Sequence, residues 1–407
     1  MKLLIITQYF PPEVGAAQSR LYELAIRLKA KGAQITILTA LPNYPVMEIH
    51  EGYRGKIFFT EDMDGLKVMR SWIYVSKGTG MLSRMMNYLS FTFTSMVFGL
   101  FSAGKQDIIF CESPPIFLGA SSLFLSLAKG ANMVFNVSDL WPESAVKLGV
   151  VKNPLAISMA TWLEELCYRN SALITGQTKG ITDHIAERFP NKKTYWLRNG
   201  SNSDLFNHEL DKSWRAENDF DEEDFILLYA GIIGLAQGLE VILEAAAQQQ
   251  QWFNMKFLII GGGPEKEKLV QLSEEMELKH LRFMDVQPRS AMPAILAACN
   301  AVIIPLKKLP LFEGAIPSKI YESTMMGKPL LLGVEGEAKT FFIDDAKAGL
   351  AFEPENGEDL AKQIDRLYED RALAKELGDN GRAYVNANFS LDNIADGLWI
   401  ELNRLNN

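Results

Sequence analysis

Cysteine and histidine are scarce in this chain. Its 407 residues include three cysteines, Cys111, Cys167 and Cys299, and four histidines, His50, His184, His208 and His280. The cysteines have neither metal-ligand spacing nor the even number of a disulfide framework. They read as buried free thiols in a reducing, cytoplasmic compartment. No H-x-x-H pair occurs, which argues against a protein-bound catalytic metal. No G-x-G-x-x-G follows the first apolar run, which counts against a dinucleotide cofactor. Nor is there a dense basic patch interleaved with aromatics, so nucleic acid is a poor partner. The apolar run after Met1-Lys2 is too short for a signal peptide and reads as a buried first strand. Met81–Ala103 is the most membrane-like stretch, but Arg84 and Asn87 interrupt it and five Ser/Thr follow. A span needs about 20 apolar residues. This helix has two readings: burial in a domain core, which is favoured, or peripheral contact with the inner face of a plasma membrane.

What is present points to two ordinary globular domains, since 407 residues exceed one typical core. Charge divides unevenly. Residues 1–205 carry 21 Lys and Arg against 16 Asp and Glu, while residues 206–407 carry 20 against 34. A basic first half suits an anionic surface or a phosphorylated acceptor; chance and solubility give the same pattern. Lys2–Gln8 predicts a strand, Tyr9–Ala17 a loop, Ser19–Lys31 a helix and Gln34–Thr39 a parallel strand. This is an α/β, doubly wound arrangement, whose ligands gather at the carboxyl ends of strands. Gly15 lies in the first such loop. Tyr44 falls in an irregular stretch that rims the same end. Met133–Val137 reads as a strand leading into Asp139, Trp141, Pro142 and Glu143. There Asp139 either caps a helix or orients an acceptor hydroxyl. Lys193–Leu197 ends in Arg198, placed to meet a phosphate or to form a surface ion pair.

Asp204–Asp224 is acidic and polar and reads as a linker. Phe225–Ala230 then restarts the strand pattern and is followed by Gly231-Ile232-Ile233-Gly234. Met255–Ile260 precedes Gly261-Gly262-Gly263-Pro264-Glu265 and a helix. Leu281–Val286 is a short strand. Phe312–Leu332 reads as loop, helix and strand, with Ser318 as N-cap and Gly327 at the helix end. Lys319 is the anomaly, because a cation in the first turn opposes the helix dipole. It is either a solvated surface lysine or one component of an anion site. Asp62-Met63-Asp64 and Asp219-Phe220-Asp221 match D-x-D but fall in polar connecting segments.

The 312–332 stretch resembles the signature region of glycosyltransferase family 4, retaining sugar-nucleotide transferases with two Rossmann-like domains (the GT-B fold). It is most similar to the branch that builds bacterial surface polysaccharides. The loop at Tyr9–Ala17, the Gly231 loop and Gly261–Glu265 also resemble that family, so the likeness covers most of the chain. The resemblance implies an N-terminal acceptor-binding domain, 1–203, joined by a C-terminal helix, 388–407, and a donor-binding domain, 204–387, facing each other across a cleft. It implies a UDP-sugar donor as substrate, no metal, and a glycan or lipid-linked acceptor. Of the family's two signature glutamates, the second matches Glu322, which holds the ribose. The first falls on Gly314, beside Glu313. Donor contacts are expected from Gly15, Gly231, Gly262, Val286, Glu313, Ala315, Ile316, Pro317, Ser318 and Glu322. Acceptor contacts are expected from Tyr44, Trp141 and Glu143. Relatives carry cations where this chain has Ile232 and Gln237. Lys319, Arg198 and the Gly15 loop backbone are the candidate substitutes, and Lys319, Asp139 and Arg198 the candidate catalytic residues. A nucleotide-sugar epimerase and a non-catalytic scaffold in polysaccharide assembly are the alternatives.

Overall fold

The structure, a computed structural model, describes every residue except 14, 45, 79, 148–150, 203–204, 207–212 and 407. The expected domain boundary between 203 and 204, and His208, lie outside the described residues. The chain forms two compact units, Met1–Asn199 with Leu391–Asn407, and Gly200–Ser390.

In the first unit, long apolar runs become strands buried on both faces. The order is β1 (Lys2–Ile6), α1 (Ala16–Ala30), β2 (Gln34–Ala40), β3 (Phe58–Met63), β4 (Leu66–Ser71), α2 (Met81–Ser102), β5 (Ile108–Ser113), α3 (Leu118–Lys129) and β6 (Asn132–Val137). Then come α4 (Glu143–Lys147), α5 (Pro154–Asn170), β7 (Leu173–Gly176), α6 (Lys179–Arg188) and β8 (Thr194–Trp196). Eight strands align as β3-β4-β2-β1-β5-β6-β7-β8. All neighbours are parallel except the β3–β4 hairpin. Alternate residues of β1 go to opposite faces: Leu3 and Ile5 pack with α1, and Leu4 and Ile6 with the cluster that holds Phe91 of α2 and Leu118 and Leu125 of α3.

The second unit runs α7 (Trp214–Glu217), β9 (Phe225–Ala230), α8 (Glu240–Gln248), β10 (Met255–Ile260), α9 (Lys266–Glu275), β11 (Leu281–Met284), α10 (Met292–Ala298), β12 (Ala301–Pro305) and α11 (Lys319–Met325). It continues with β13 (Leu330–Gly333), α12 (Glu337–Lys339), β14 (Gly349–Ala351), α13 (Gly357–Glu369) and α14 (Arg371–Asn388). Its six strands, β11-β10-β9-β12-β13-β14, are all parallel. The strand order reverses between β9 and β12, and in the first unit between β1 and β5. Such switch points open a crevice at the carboxyl ends of the strands.

Several expectations are corrected. Helix α1 begins at Ala16, three residues early, because Ser19 N–H already reaches the Gly15 carbonyl at 3.1 Å. Asp62-Met63-Asp64 is a strand end and hairpin turn, in which Asp62 accepts from Gly65 N–H at 2.9 Å. The acidic linker is structured from Ser213 onward. Trp214 and Phe220 are buried and stack at 5.8 Å, and Arg215 donates to the carbonyls of Asp221, Glu222 and Asp224. Helix α15 (Leu391–Asn406) starts at Leu391 rather than 388 and packs on the first unit through Leu391, Ile394, Leu398 and Leu402. Ile400 of the same helix is half exposed. Arg27–Asp392 at 2.8 Å adds a polar tie to α1. Ser318 occupies the N-cap position of α11 with helical dihedrals and makes no side-chain cap bond. Helix α2 is only half buried, against the favoured reading of core burial.

The two glycine-containing loops of the second unit fit together backbone to backbone. Ile233 N–H donates to the Gly262 carbonyl and Gly231 N–H to the Ile260 carbonyl, both at 2.9 Å. A Cβ on Gly261 would lie 1.9 Å from the Gly231 oxygen, and one on Gly263 would lie 2.2 Å from the Ile233 oxygen. Gly261→Ala is therefore expected to lower stability by about 1–3 kcal/mol, the scale of a forced backbone. Gly52→Ala, which meets nothing within 4 Å, should stay within about 0.5 kcal/mol. Thermal melting of the two variants checks the contrast; equal melting temperatures would refute the proposed loop contact.

Candidate functional site

Helix α11 follows β12 at the switch point of the second sheet. Ile320, Tyr321 and Met325 bury one side of this helix. That anchoring fixes Lys319 at the helix start, where the side chain turns toward β9. Its Nζ lies 3.8 Å from the centroid of the Tyr229 ring. It also stands beside Gly231, where a Cβ would approach it to 2.7 Å. Among the described residues no carboxylate lies within ion-pair distance of this ammonium. Burial pushes its pKa down to about 7, and only the charge of Glu322 opposes that shift. A solvated surface lysine would show none of these features.

Glu322, one helical turn on, is also desolvated. Burial holds its carboxyl above the usual range, opposed by the charges of Arg289 and Lys319. Among the described residues its ion-pair partner is Arg289, whose Nη2 lies 3.4 Å from Oε1. A long bond of this kind leaves the carboxylate with acceptor capacity for a ligand hydroxyl.

Nine of the ten expected donor-site residues, all but Gly15, thus gather at one end of the second sheet. Gly231 flanks Lys319. Gly262 abuts Val286, since a Cβ there would lie 3.1 Å from Val286 Cγ2. Val286 is itself exposed. Glu313, Ala315, Ile316, Pro317 and Ser318 form the approach from β12 to α11. That approach is pinned where Glu337 N–H donates to the Glu313 carbonyl at 2.8 Å and Ala315 N–H to the Phe312 carbonyl at 3.0 Å. Ile316 is buried, whereas Glu313 and Ser318 are exposed.

In the first unit the candidates fall into separate groups. Gly15 adopts extended backbone, φ 174°, at the start of α1. The residue that organises its loop is Glu13. One oxygen accepts from Phe10 N–H at 3.1 Å, and the other from Asn43 and Tyr44 N–H at 2.9 Å each. Tyr44 in turn packs on Tyr9, ring centroids 5.6 Å apart. Asp139 accepts from Ser144 Oγ at 2.8 Å. Partial desolvation raises its pKa, although the residue keeps an exposed edge. Trp141 leans on Phe117 at 6.2 Å. Glu143 pairs with Lys147 at 2.8 Å and lies 3.4 Å from His184. Arg198 stacks on Trp196, its guanidinium carbon 4.6 Å from the ring centroid.

Three residues escaped the reading of the sequence. Tyr229 sits inside an aliphatic strand, where a tyrosine signals a polar handle at the strand end. Its hydroxyl donates to the Ile232 carbonyl at 2.5 Å and fixes the ring under Lys319. Arg289 lies in a short turn with no flanking motif. Glu13 resembles any loop glutamate until its three backbone donors are in view.

Comparison with known proteins supplies the remaining evidence. A family model for group 1 glycosyl transferases matches residues 211–384, and one for the glycosyl transferase 4-like domain matches residues 15–200. WcaI of Escherichia coli (strain K12), provisionally named a colanic acid biosynthesis glycosyl transferase, is 25% identical over 401 residues. The match covers 92% of this chain and 97% of WcaI. Among solved structures, sucrose-phosphate synthase from Thermosynechococcus elongatus superposes with a TM-score of 0.78 at 18% identity, over 99% of this chain and 98% of that one. Anabaena HepE, solved with UDP and glucose, gives 0.72 at 15%, over 99% of each chain. The two family models divide most of the sequence between them along the two sheets described above, and the chain belongs to glycosyltransferase family 4, with the GT-B fold.

Proposed function

We propose that the chain moves a hexosyl group from a UDP-sugar of the UDP-glucose type to a glycan or lipid-linked acceptor in bacterial polysaccharide biosynthesis, with retention at the anomeric carbon and no metal. The observation that carries this reading is the desolvated Lys319 ammonium, which has no carboxylate partner at the switch point of the second sheet. A leaving diphosphate is a ligand whose charge would offset that desolvation. HepE, solved with UDP-glucose, has the same fold, and WcaI carries the polysaccharide assignment in its name. The donor domain in this reading is the second unit and the acceptor domain the first. The cytoplasmic face of a membrane suits a lipid-linked acceptor.

In the step itself the bond from the anomeric carbon to the β-phosphate oxygen breaks, and a bond from the acceptor oxygen to that carbon forms on the same face. The acceptor's proton passes to the departing phosphate oxygen. Negative charge grows on the diphosphate, so a fixed cation there lowers the barrier. Lys319 supplies it, in place of the cations relatives carry at the positions of Ile232 and Gln237. Glu322 accepts the ribose hydroxyls, displacing or sharing Arg289. Gly231, Gly262, Val286 and the 313–318 approach line the donor. Gly15, Asp139 and Arg198 serve the reacting end, and Tyr44, Trp141 and Glu143 serve the acceptor. Most of the rate then comes from positioning.

Two measurements test these roles. Lys319→Ala is expected to reduce kcat/KM by about 10²–10³-fold, the usual loss of a transition-state charge contact. It should largely keep the thermal shift produced by UDP, whereas Glu322→Ala should lose that shift. Unchanged turnover in the lysine variant would remove Lys319 from the mechanism, and a sugar-nucleotide product from donor alone would indicate epimerisation. The second test is proton uptake. Free Lys319 titrates at about 7, and an adjacent diphosphate raises that value, so at pH 8 the neutral amine gains a proton as UDP binds. Calorimetry in buffers of different ionisation enthalpy should report uptake of about one proton, absent in Lys319→Met. Buffer-independent heats in the parent would contradict the contact.

A further inference from the structure

Helix α2 is built inside out. The side that faces the first unit is rich in polar groups, and each finds a partner. Asn87 accepts from Gln8 Nε2 at 2.8 Å and donates to the Tyr74 carbonyl at 2.7 Å. Ser90 accepts from Tyr74 N–H at 2.8 Å. Thr94 donates to the Trp72 carbonyl at 2.6 Å, and Ser95 shares a 2.7 Å bond with Ser121 of α3. The opposite side holds Leu82, Met86, Leu89, Phe93 and Met96, spaced four, three, four and three residues apart along one face, while Leu100 at the end of the row packs on the core. Leu82 is 77% exposed and Phe93 67%. An ordinary surface helix shows the reverse, with its apolar stripe on the core. The neighbouring α3 exposes Phe124 and Leu127.

Charge identifies what covers this face. The 42 residues from Gly65 to Gln106 contain five Lys or Arg and no Asp or Glu, and α3 adds Lys129 and no acid; of the five, Arg70 is buried against Glu61 and Lys77 pairs with Glu48. Arg84 and Lys105 are exposed and have no ion pair among the described residues. A second copy of the same helix would bring like charges together and has no acidic residues to set against them. The positions beside the central row include Met85, Val97 and Phe101, which broaden it beyond a coiled-coil seam. No helix among the described residues is long and apolar enough to cross a membrane. An exposed apolar face with unpaired cations near the two ends of such a helix, Arg84 in its first turn and Lys105 just past its last, fits the boundary of an anionic bilayer.

We infer that α2 docks the first unit on an anionic lipid surface, with its Leu/Met/Phe row in the acyl boundary and Arg84 and Lys105 toward the headgroups. The helix is hydrogen-bonded through Asn87 to Gln8, which opens the Tyr9–Gly15 loop at the switch point of the first sheet. Docking therefore sets that loop close to the bilayer. Resting on the glycosyltransferase reading above, this selects a lipid-linked acceptor over a free glycan.

The test is flotation of the full chain with vesicles of phosphatidylglycerol mixed with phosphatidylcholine, and with phosphatidylcholine alone. Parent protein should float with the anionic vesicles. Leu89→Glu with Phe93→Glu should lower the bound-to-free ratio at least about tenfold, since both side chains lose their apolar phase, without changing the melting temperature. Arg84→Glu with Lys105→Glu, which touches no apolar residue, should also weaken binding. No flotation of the parent above the level of the Leu89/Phe93 variant overturns the proposal, as does equal binding to phosphatidylcholine alone. So does a parent dimer in sedimentation velocity that the Leu89/Phe93 variant splits, because a second copy then owns the face. The UDP-induced thermal shift is read on the same samples. Its absence counts against the donor assignment and leaves the vesicle result standing.

Discussion

An ammonium group held 3.8 Å from an aromatic centroid, with no carboxylate close enough to neutralise it, is costly to build. Cation–π attraction returns about 0.5–2 kcal/mol, less than full hydration of the charge would. The fold accepts the deficit by letting the lysine approach neutrality, its pKa pushed down to about 7. Everything around the site follows from holding that group still. The Tyr229 ring is fixed by its own hydroxyl on the Ile232 carbonyl, and α11 is fixed by Ile320, Tyr321 and Met325 in the core. On the proposed role, an anion arriving there would restore the proton and the charge together.

The glycines of this region are explained by the protein's own backbone before any ligand is considered. Gly261 and Gly263 face the carbonyls of the Gly231–Ile233 loop at distances that no side chain tolerates. This locks the loops after β9 and β10 together and sets the floor beneath Lys319. The first unit solves the matching problem with charge. Glu13 gathers three backbone N–H groups, while fully buried Arg70 pairs with Glu61 and donates to the Pro11 carbonyl, tying the Tyr9–Gly15 loop to the β3–β4 hairpin. Breaking one partner of so buried a pair leaves a charge uncompensated, which makes these residues structural supports of the loop.

Much of this was legible in the sequence, for identifiable reasons. Strands buried on both faces are unbroken apolar runs, so β1, β2, β9 and β10 declared themselves, and the glycines after β9 and β10 marked the switch-point loops. Strand β3 did not, because FFTEDM is neither an unbroken apolar run nor a regular alternation; it pairs with β4 directly across the Asp64-Gly65 turn. The acidic stretch before β9 looked unstructured because its buried apolar residues are few and far apart: among the described residues Phe206, Trp214 and Phe220, the last two stacked on each other. Lys319 stood out because it violated the dipole preference at a helix start. Tyr229, Arg289 and Glu13 carried no such violation, and only proximity in space gives them meaning. The inversion of α2 was hidden for a different reason. Periodicity shows that a helix has two faces, but which face turns inward depends on the partners waiting there, here Gln8, Trp72, Tyr74 and Ser121.

On the proposed role of Lys319, the site's charge sits on a helix instead of a loop, and that changes what the loop must do. At Ile232 and Gln237 the loop side chains have no ion to position, and Ile232 is left 64% exposed. The loop is instead held through backbone bonds to Gly262 and Ile260 and through Tyr229, none of which depends on the identity of residues 232 or 237. The cation sits on an element anchored in the core, where its position is fixed to within the play of one side chain, and a charge that must meet a developing diphosphate gains from that rigidity. Under that proposal the loop could vary its side chains without disturbing the group that stabilises the leaving phosphates, which would put donor selectivity and leaving-group stabilisation on different elements of the same switch point.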